Sequence, residues 1–142
     1  MFKIIAIAAL ITSTTFAYAK AEQLQEFPLI QKFKQNDQYR VIDGDTFEYN
    51  GNKYRLSAID TAEIKGKCPK EIMLAKAAKE YLEMRLSPDF GKQIKLYGNK
   101  LDKYGRRLVE VIVDGSSVNT ELMQQNLARP YSGGKRQGWC EE

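Results

Sequence analysis

Histidine is absent from the 142 residues, and cysteine, proline and tryptophan are scarce at two, four and one. Without imidazole there is no Ser-His-Asp or Cys-His machinery, no histidine general base and no histidine-ligated zinc. Two thiols do not complete a four-thiolate zinc site. Acid–base or metal chemistry in this chain must rest on carboxylates, Tyr, Lys, hydroxyls or water, and a metal would be a hard, oxygen-seeking ion such as calcium or magnesium. Internal repeats, low-complexity stretches and a Walker-type phosphate loop are also lacking. The search narrows to Asp and Glu clusters.

Long apolar runs are limited to the start of the chain. Lys3, the apolar stretch Ile4 to Phe16 and the small-x-small site Ala17-Tyr18-Ala19 have the form of a signal peptide. A membrane anchor needs roughly 20 apolar residues and different flanks. Residues 1–19 are therefore expected to be removed after Ala19, leaving an exported protein, periplasmic or released, without an anchor. Residues 20–37 are polar, Gln- and Lys-rich and broken by Pro28, and read as an N-terminal extension. Residues 38–142 form one domain, large enough for a core without staples. The net charge of +4 is modest, and one unit of it lies on Lys3. An oxidising compartment lets Cys68 and Cys140 pair, closing a loop of about 70 residues that stabilises by roughly 4 kcal/mol in the chain-entropy model. The alternative is two separate buried thiols, which a thiol count under denaturing, non-reducing conditions distinguishes.

From Tyr39 the pattern becomes regular. Tyr39 to Ile42, Thr46 to Tyr49 and Lys53 to Ile59 are short β-rich runs, the last two joined by the hairpin signal Asn50-Gly51-Asn52. Pro69 to Leu86 is helical, with Leu74, Ala77, Ala78, Tyr81, Leu82 and Leu86 on one face, Pro69 at the first position and Pro88 forbidding continuation. Gln93 to Tyr97 and Arg107 to Val113 are further strands, followed by an Asp114-Gly115 turn and a short helix from about Val118 to Asn126. Three strands, a helix, two strands and a helix do not suit a doubly wound sheet. The expectation is a mainly β, α+β fold: a five-stranded OB-type Greek-key barrel with two helices and a short C-terminal tail.

Polar residues gather at the strand ends. In Asp43-Gly44-Asp45-Thr46 the i, i+2 spacing puts both carboxylates on one side of an extended chain, and Asp60-Thr61-Ala62-Glu63 ends the third strand. Two such clusters suit a hard metal ion, although each alone reads as an ordinary turn. Phe47 and Glu48 exclude an EF-hand. Arg55 alternates out of phase with Tyr54 and Leu56 and so can reach the acidic cluster; Arg106 follows the turn Asp102-Lys103-Tyr104-Gly105. Arginine offers bidentate donors that match a phosphate and offset charge growing on phosphorus.

The ordered blocks Val41-Ile42-Asp43-Gly44-Asp45-Thr46, Tyr54-Arg55-Leu56 to Ile59-Asp60-Thr61-Ala62-Glu63, Asp102-Lys103-Tyr104-Gly105-Arg106, and Val118-Asn119 with Leu127-Ala128 resemble the staphylococcal nuclease (thermonuclease) family over about residues 38 to 131. The resemblance implies an OB-type barrel and a calcium-dependent phosphodiesterase cutting DNA and RNA, single strands favoured, with 3′-phosphate products and acting as a monomer. It further implies that Asp45, Asp60 and the main-chain carbonyl of Thr61 bind calcium, with Asp43 behind them. Glu63 would orient or deprotonate the attacking water, Arg55 and Arg106 would grip the scissile phosphate, and Lys103 and Tyr104 would meet a nucleotide phosphate at the edge. Ala62 stands where the family usually has Pro, so a less rigid Glu63 loop is expected. Ile64 to Lys70 is short for the family's loop, and its long C-terminal helix has no counterpart here, which suggests that Cys68–Cys140, with Trp139 packed beside it, fastens the tail instead. Lys65, Lys67, Lys103, Arg129, Lys135 and Arg136 would track a polyanion, and Tyr104 would stack on bases, with Tyr131 either stacking likewise or buried as a core tyrosine. The reading from another class is a catalytically idle OB-type module binding nucleic acid or a protein; a calcium-stabilised envelope domain would need the carboxylates but not both arginines.

Overall fold

The computed structural model describes residues 38–87 and 92–140. The expected leader, residues 1–19, and the extension, residues 20–37, lie outside the described residues. Eight strands and two helices follow in the order β1 (Tyr39–Asp43), β2 (Thr46–Tyr49), β3 (Asn52–Leu56), β4 (Ile59–Thr61), α1 (Pro69–Leu86), β5 (Ile94–Leu101), β6 (Arg107–Val113), β7 (Ser116–Ser117), α2 (Val118–Gln124) and β8 (Ala128–Pro130).

The main sheet runs β1-β2-β3-β6-β5, with β7 on β6, and β4 pairs separately with β8. All ladders are antiparallel except β3–β6, which is parallel. This is an α+β fold of the OB type, and among the described residues no ladder joins β1 to β5, so the sheet stays open at that seam. The β2–β3 hairpin closes through Asn50 and Gly51, both at positive φ (45° and 77°), the pair of left-handed residues that a type I′ turn requires.

One expected strand divides in two. Ala58 sits at φ 60°, a costly conformation for a residue with a Cβ. The break is held by long-range bonds: Ser57 N donates to the Val109 carbonyl at 2.7 Å, and Tyr131 N to the Ala58 carbonyl at 2.9 Å. The chain leaves β3, turns, and pairs Asp60 with Arg129 of β8.

Helix α1 has the expected bounds. Cys68 caps it, its sulfur accepting from Glu71 N at 3.4 Å, and the Glu71 carboxylate accepts from Lys67 N at 2.7 Å, so the first turn is closed in the manner of a capping box. Of its buried face, Ala78, Leu82 and Leu86 pack on the sheet, where Phe47 stacks on Tyr54 at 5.1 Å between ring centroids. Burying side chains such as Leu82, Leu86 and Phe47 contributes roughly 1.5–3 kcal/mol each. Arg85 grips Glu121 with two bonds of 2.7 and 3.0 Å and so fastens α1 to α2. Asn119, buried at the start of α2, accepts from Val111 N and donates to the carbonyls of Ser57 and Val109, pinning α2 beside the β3 break. Among the described residues no helix is long and apolar enough to cross a membrane.

A second, smaller core consists of Trp139, Ala62 and Ala75, with Ile64 and Leu74 against it. Cys68 and Cys140 are disulfide-bonded beside this cluster. Ala62, expected to loosen its loop, is 1% exposed beneath Trp139.

Candidate active site

The acidic blocks, with Asp45 and Asp60 fifteen residues apart in the chain, meet because β1 ends, β2 begins and β3 ends at one rim of the main sheet, from which the chain turns into β4. Gly44 permits the approach of α1: a Cβ on it would lie 2.5 Å from the Ala78 Cβ and 3.0 Å from the Thr61 hydroxyl. Asp45 follows, 5% exposed, one carboxylate oxygen accepting from the Thr46 hydroxyl at 2.8 Å. Thr46 faces Arg55 across the β2–β3 ladder.

Arg55 is the buried hub. Its Nη2 lies 3.1 Å from Asp45 Oδ2 and 3.7 Å from Asp60 Oδ1, and its Nη1 donates to the Leu56 carbonyl at 3.0 Å. The guanidinium is itself almost enclosed, so removing one partner would strand a buried charge at about 3–5 kcal/mol. Asp43 sits just behind, accepting from Asp45 N at 3.3 Å. Burial, reinforced by the neighbouring Asp45 carboxylate, pushes the Asp43 carboxyl up to about 7.

Arg136 occupies the open side of this cluster. Its Nε donates to Asp60 Oδ1 at 2.5 Å, its Nη2 to the main-chain carbonyl of Thr61 at 3.3 Å, and its Nη1 to the Glu63 carboxylate. Burial works against its charge, but the bonds and charges of Asp60 and Glu63 prevail and hold the guanidinium more firmly protonated than usual.

Arg106 approaches from the other direction. Its Nη1 is 3.5 Å from the Thr46 hydroxyl, and its Nε donates to Asp102 Oδ2 at 2.6 Å. The second oxygen of Asp102 accepts from Tyr104 N and Arg106 N at 2.9 and 3.0 Å, so one carboxylate shapes the loop and aims the arginine. Desolvation opposes the Asp102 charge, yet the bonds from Arg106 and Tyr104 hold the carboxyl below its ordinary value. Lys103 and Tyr104 sit exposed on this loop, the Lys103 ammonium 5.0 Å and the Arg106 guanidinium 5.4 Å from the Tyr104 ring. Between this loop and the Tyr131–Gly133 segment lies a hollow of about 440 Å³ walled by Arg55, Tyr104, Arg106, Leu108 and Tyr131, which borders the acidic cluster through Arg55, whereas Asp60, Glu63 and Arg136 line a separate cleft of about 540 Å³.

The structure thus brings Asp45, Arg55 and Asp60 into direct contact, joins Glu63 to them through Arg136 and Arg106 through Thr46, and sets Lys103 and Tyr104 across the hollow. Asp45, Asp60 and the Thr61 carbonyl are oxygen donors of the kind calcium takes. A guanidinium already stands against two of them and Glu63, so the position attracts positive charge. The donor set fits a hard divalent cation. Cys68, Glu71 and Cys140 also lie together, but their sulfurs are spent in the disulfide.

Two residues stand out beyond the sequence reading. Asp102 carried a signal in its position four residues before Arg106. Arg136 entered only as one cation among several; its signal was its place four residues before Cys140, whose bridge returns the tail to within a few residues of Glu63.

The profile of the staphylococcal nuclease homologue family matches residues 53–139 of this chain. Among characterised proteins, the chain is 40% identical over 99 residues to endonuclease YncB of Bacillus subtilis strain 168, covering 63% of this chain and 44% of that protein. It is 40% identical over 99 residues to the SPbeta prophage-derived endonuclease YokF of the same organism, covering 63% of this chain and 32% of YokF. It is 34% identical over 104 residues to its endonuclease YhcR, covering 65% of this chain and 8% of YhcR. The aligned part spans less than half the length of each relative.

Proposed function

This chain belongs to the family of staphylococcal nuclease homologues, and on that premise we propose that it is an exported, calcium-dependent nuclease hydrolysing phosphodiester bonds in DNA and RNA. The observation that carries the reading is the convergence of Asp45 from the β1–β2 turn, Arg55 from β3 and Asp60 from β4 in one enclosed cluster, with Arg55 also walling a basic, aromatic hollow.

Asp45, Asp60 and the Thr61 carbonyl would hold the calcium ion, with Asp43 behind Asp45. When bound, the ion polarises the scissile phosphate and offsets its charge. Glu63 orients a water molecule and takes its proton as the water oxygen bonds to phosphorus in line with the leaving group. The bond from phosphorus to the 5′ oxygen breaks, leaving a 3′ phosphate and, once that oxygen takes a proton from solvent, a 5′ hydroxyl. Arg55 and Arg106 face the position of the phosphate from two sides and stabilise the added negative charge. No step uses the ribose 2′-hydroxyl, so DNA and RNA are both substrates. Tyr104, 70% exposed, and Tyr131 offer rings to unpaired bases, and Lys103 meets the backbone, which favours single strands. The reading requires one chain only.

One observation favours the idle binding module: Arg136 already neutralises Asp60 and Glu63, as a permanently closed site would require. Digestion of single-stranded DNA and of RNA by the chain from Lys20, with calcium and with a chelator, separates the two. Calcium-dependent cutting of both polymers is expected, reduced by roughly two to three orders of magnitude in Glu63→Ser and in Arg106→Ala. A folded wild type that cuts neither polymer in calcium leaves the binding module as the better reading.

A further inference from the structure

Arg136 makes three contacts, and each is to a group with a task in the proposed reaction: the Asp60 carboxylate, the Thr61 carbonyl and the Glu63 carboxylate. Resting on the calcium-dependent reading above, we infer that Arg136 is a built-in counter-cation of the metal site, which must withdraw before a divalent ion can enter, so that the C-terminal tail sets the affinity for metal.

A calcium ion bonded to Asp60 and the Thr61 carbonyl would lie roughly 2.3–2.6 Å from each oxygen. The Arg136 guanidinium stands 2.5 Å from Asp60 Oδ1 and 3.3 Å from the Thr61 carbonyl, so the two cations compete for one place. Two arginines touch the carboxylates, and exposure decides which yields. The Arg55 side chain is 10% exposed and bonded to the β3 backbone, whereas that of Arg136 is 40% exposed and reaches in from a surface tail.

The tail is built to present this side chain. On one side Tyr131 closes a turn by donating from its hydroxyl to the Gly134 carbonyl at 2.8 Å. On the other, Arg129 donates to the Gly138 carbonyl at 2.6 Å and lies 3.7 Å from the Trp139 ring centroid, Trp139 is buried on Ala62 and Ala75, and Cys140 is bonded to Cys68. Residues 132–138 thus form a short arch pinned at both ends. Pinning keeps the guanidinium at high local concentration beside the carboxylates. It balances their charge without metal, and the apparent metal affinity falls by the fraction of time the arch is withdrawn.

The test is calorimetric titration of the full chain, without nucleic acid, with calcium chloride. Arg136→Gln should bind calcium about tenfold more tightly than wild type, as expected where the arch is closed about nine-tenths of the time. Lys135→Gln removes a neighbouring charge but none of the three contacts and should shift affinity by less than about twofold. Cys68→Ser with Cys140→Ser, which keeps an oxygen cap on α1, should fall between wild type and Arg136→Gln, since Trp139 still docks. In chelator, thermal melting of Arg136→Gln should begin lower than wild type, because Asp60 and Glu63 lose their partner. Equal or weaker calcium binding by Arg136→Gln overturns the inference, as does an equal gain in Lys135→Gln, which would reduce it to distant charge. Should neither wild type nor Arg136→Gln take up calcium at millimolar concentration, the metal-dependent function itself falls; equal binding by both overturns this inference alone.

Discussion

Gly44 is the smallest side chain at the site and the one on which its assembly most depends. An alanine there would place its Cβ 2.5 Å from the Cβ of Ala78, 3.0 Å from the Thr61 hydroxyl and 3.1 Å from the Thr61 Cβ. Carbon atoms pack at about 3.5–4.0 Å, so the β1–β2 turn and α1 would have to separate by about 1 Å. Neither partner gives by rotation: the Ala78 Cβ is fixed by the helix backbone, and Thr61 is 2% exposed in the β4–β8 ladder. Overpacking of this kind costs about 1–3 kcal/mol. In a domain of this size each kcal/mol lowers the melting temperature by about 4–8 °C. Gly44→Ala should therefore melt about 5–20 °C below wild type when followed by circular dichroism. The cause is isolated by Ala78→Gly, which carries its own helix penalty of about 1 kcal/mol but removes the opposing Cβ. A double-mutant cycle should give a favourable coupling of about 1 kcal/mol or more between the two positions. A melting temperature within a degree of wild type for Gly44→Ala, or strictly additive effects, refutes the packing argument.

Asp102 should matter to turnover more than to stability. Asp102→Ala frees Arg106 Nε and two backbone N–H groups on an exposed loop; losing a hydrogen bond to a charged group, about 1.5–3 kcal/mol, predicts a kcat lowered about ten- to a hundredfold with KM little changed. Asp102→Asn, which keeps an oxygen for the backbone, should recover part of the rate, and an unaltered kcat in Asp102→Ala would remove its positioning role. A third prediction concerns pH. Asp43 ordinarily titrates at 3.8, but burial and then the Asp45 charge raise it to about 7 in the folded chain. Between these values the folded state keeps a proton that the unfolded state has released, so its stability declines as pH rises through that window. In chelator the melting temperature should fall from pH 5 to pH 8, and Asp43→Asn should flatten the slope; a profile that rises, or that Asp43→Asn leaves unchanged, contradicts the assignment.

Features whose causes lie within a few residues were legible in the chain itself. Asn50-Gly51 closes the β2–β3 hairpin because both residues tolerate the left-handed conformation that two-residue loops demand. Pro69 and the apolar spacing from Ala78 to Leu86 set α1, since a fixed φ and a 3.6-residue period are local properties. The alternation in β3 put Arg55 on the side from which it reaches Asp45. Gly44 was legible as a turn former, but what forbids a side chain there is Ala78, brought in by α1 from 34 residues away.

The rest depended on contacts that local pattern does not encode. The apolar run through Ile59 reads as one strand, yet it divides at Ala58 because Ser57, Val109, Asn119 and Tyr131 together supply bonds that outweigh the cost of a left-handed alanine. Arg136 was legible only as one cation on a basic tail. The disulfide and the Trp139 core carry it to Asp60, 76 residues away, and to Glu63. Residue types and short-range spacing by themselves determined which groups could bind a hard cation and a phosphate, because donor chemistry and strand alternation are local. Tertiary structure alone decided which cation now stands among them, because charges distant in sequence meet only once the core and the disulfide have fixed the chain's path.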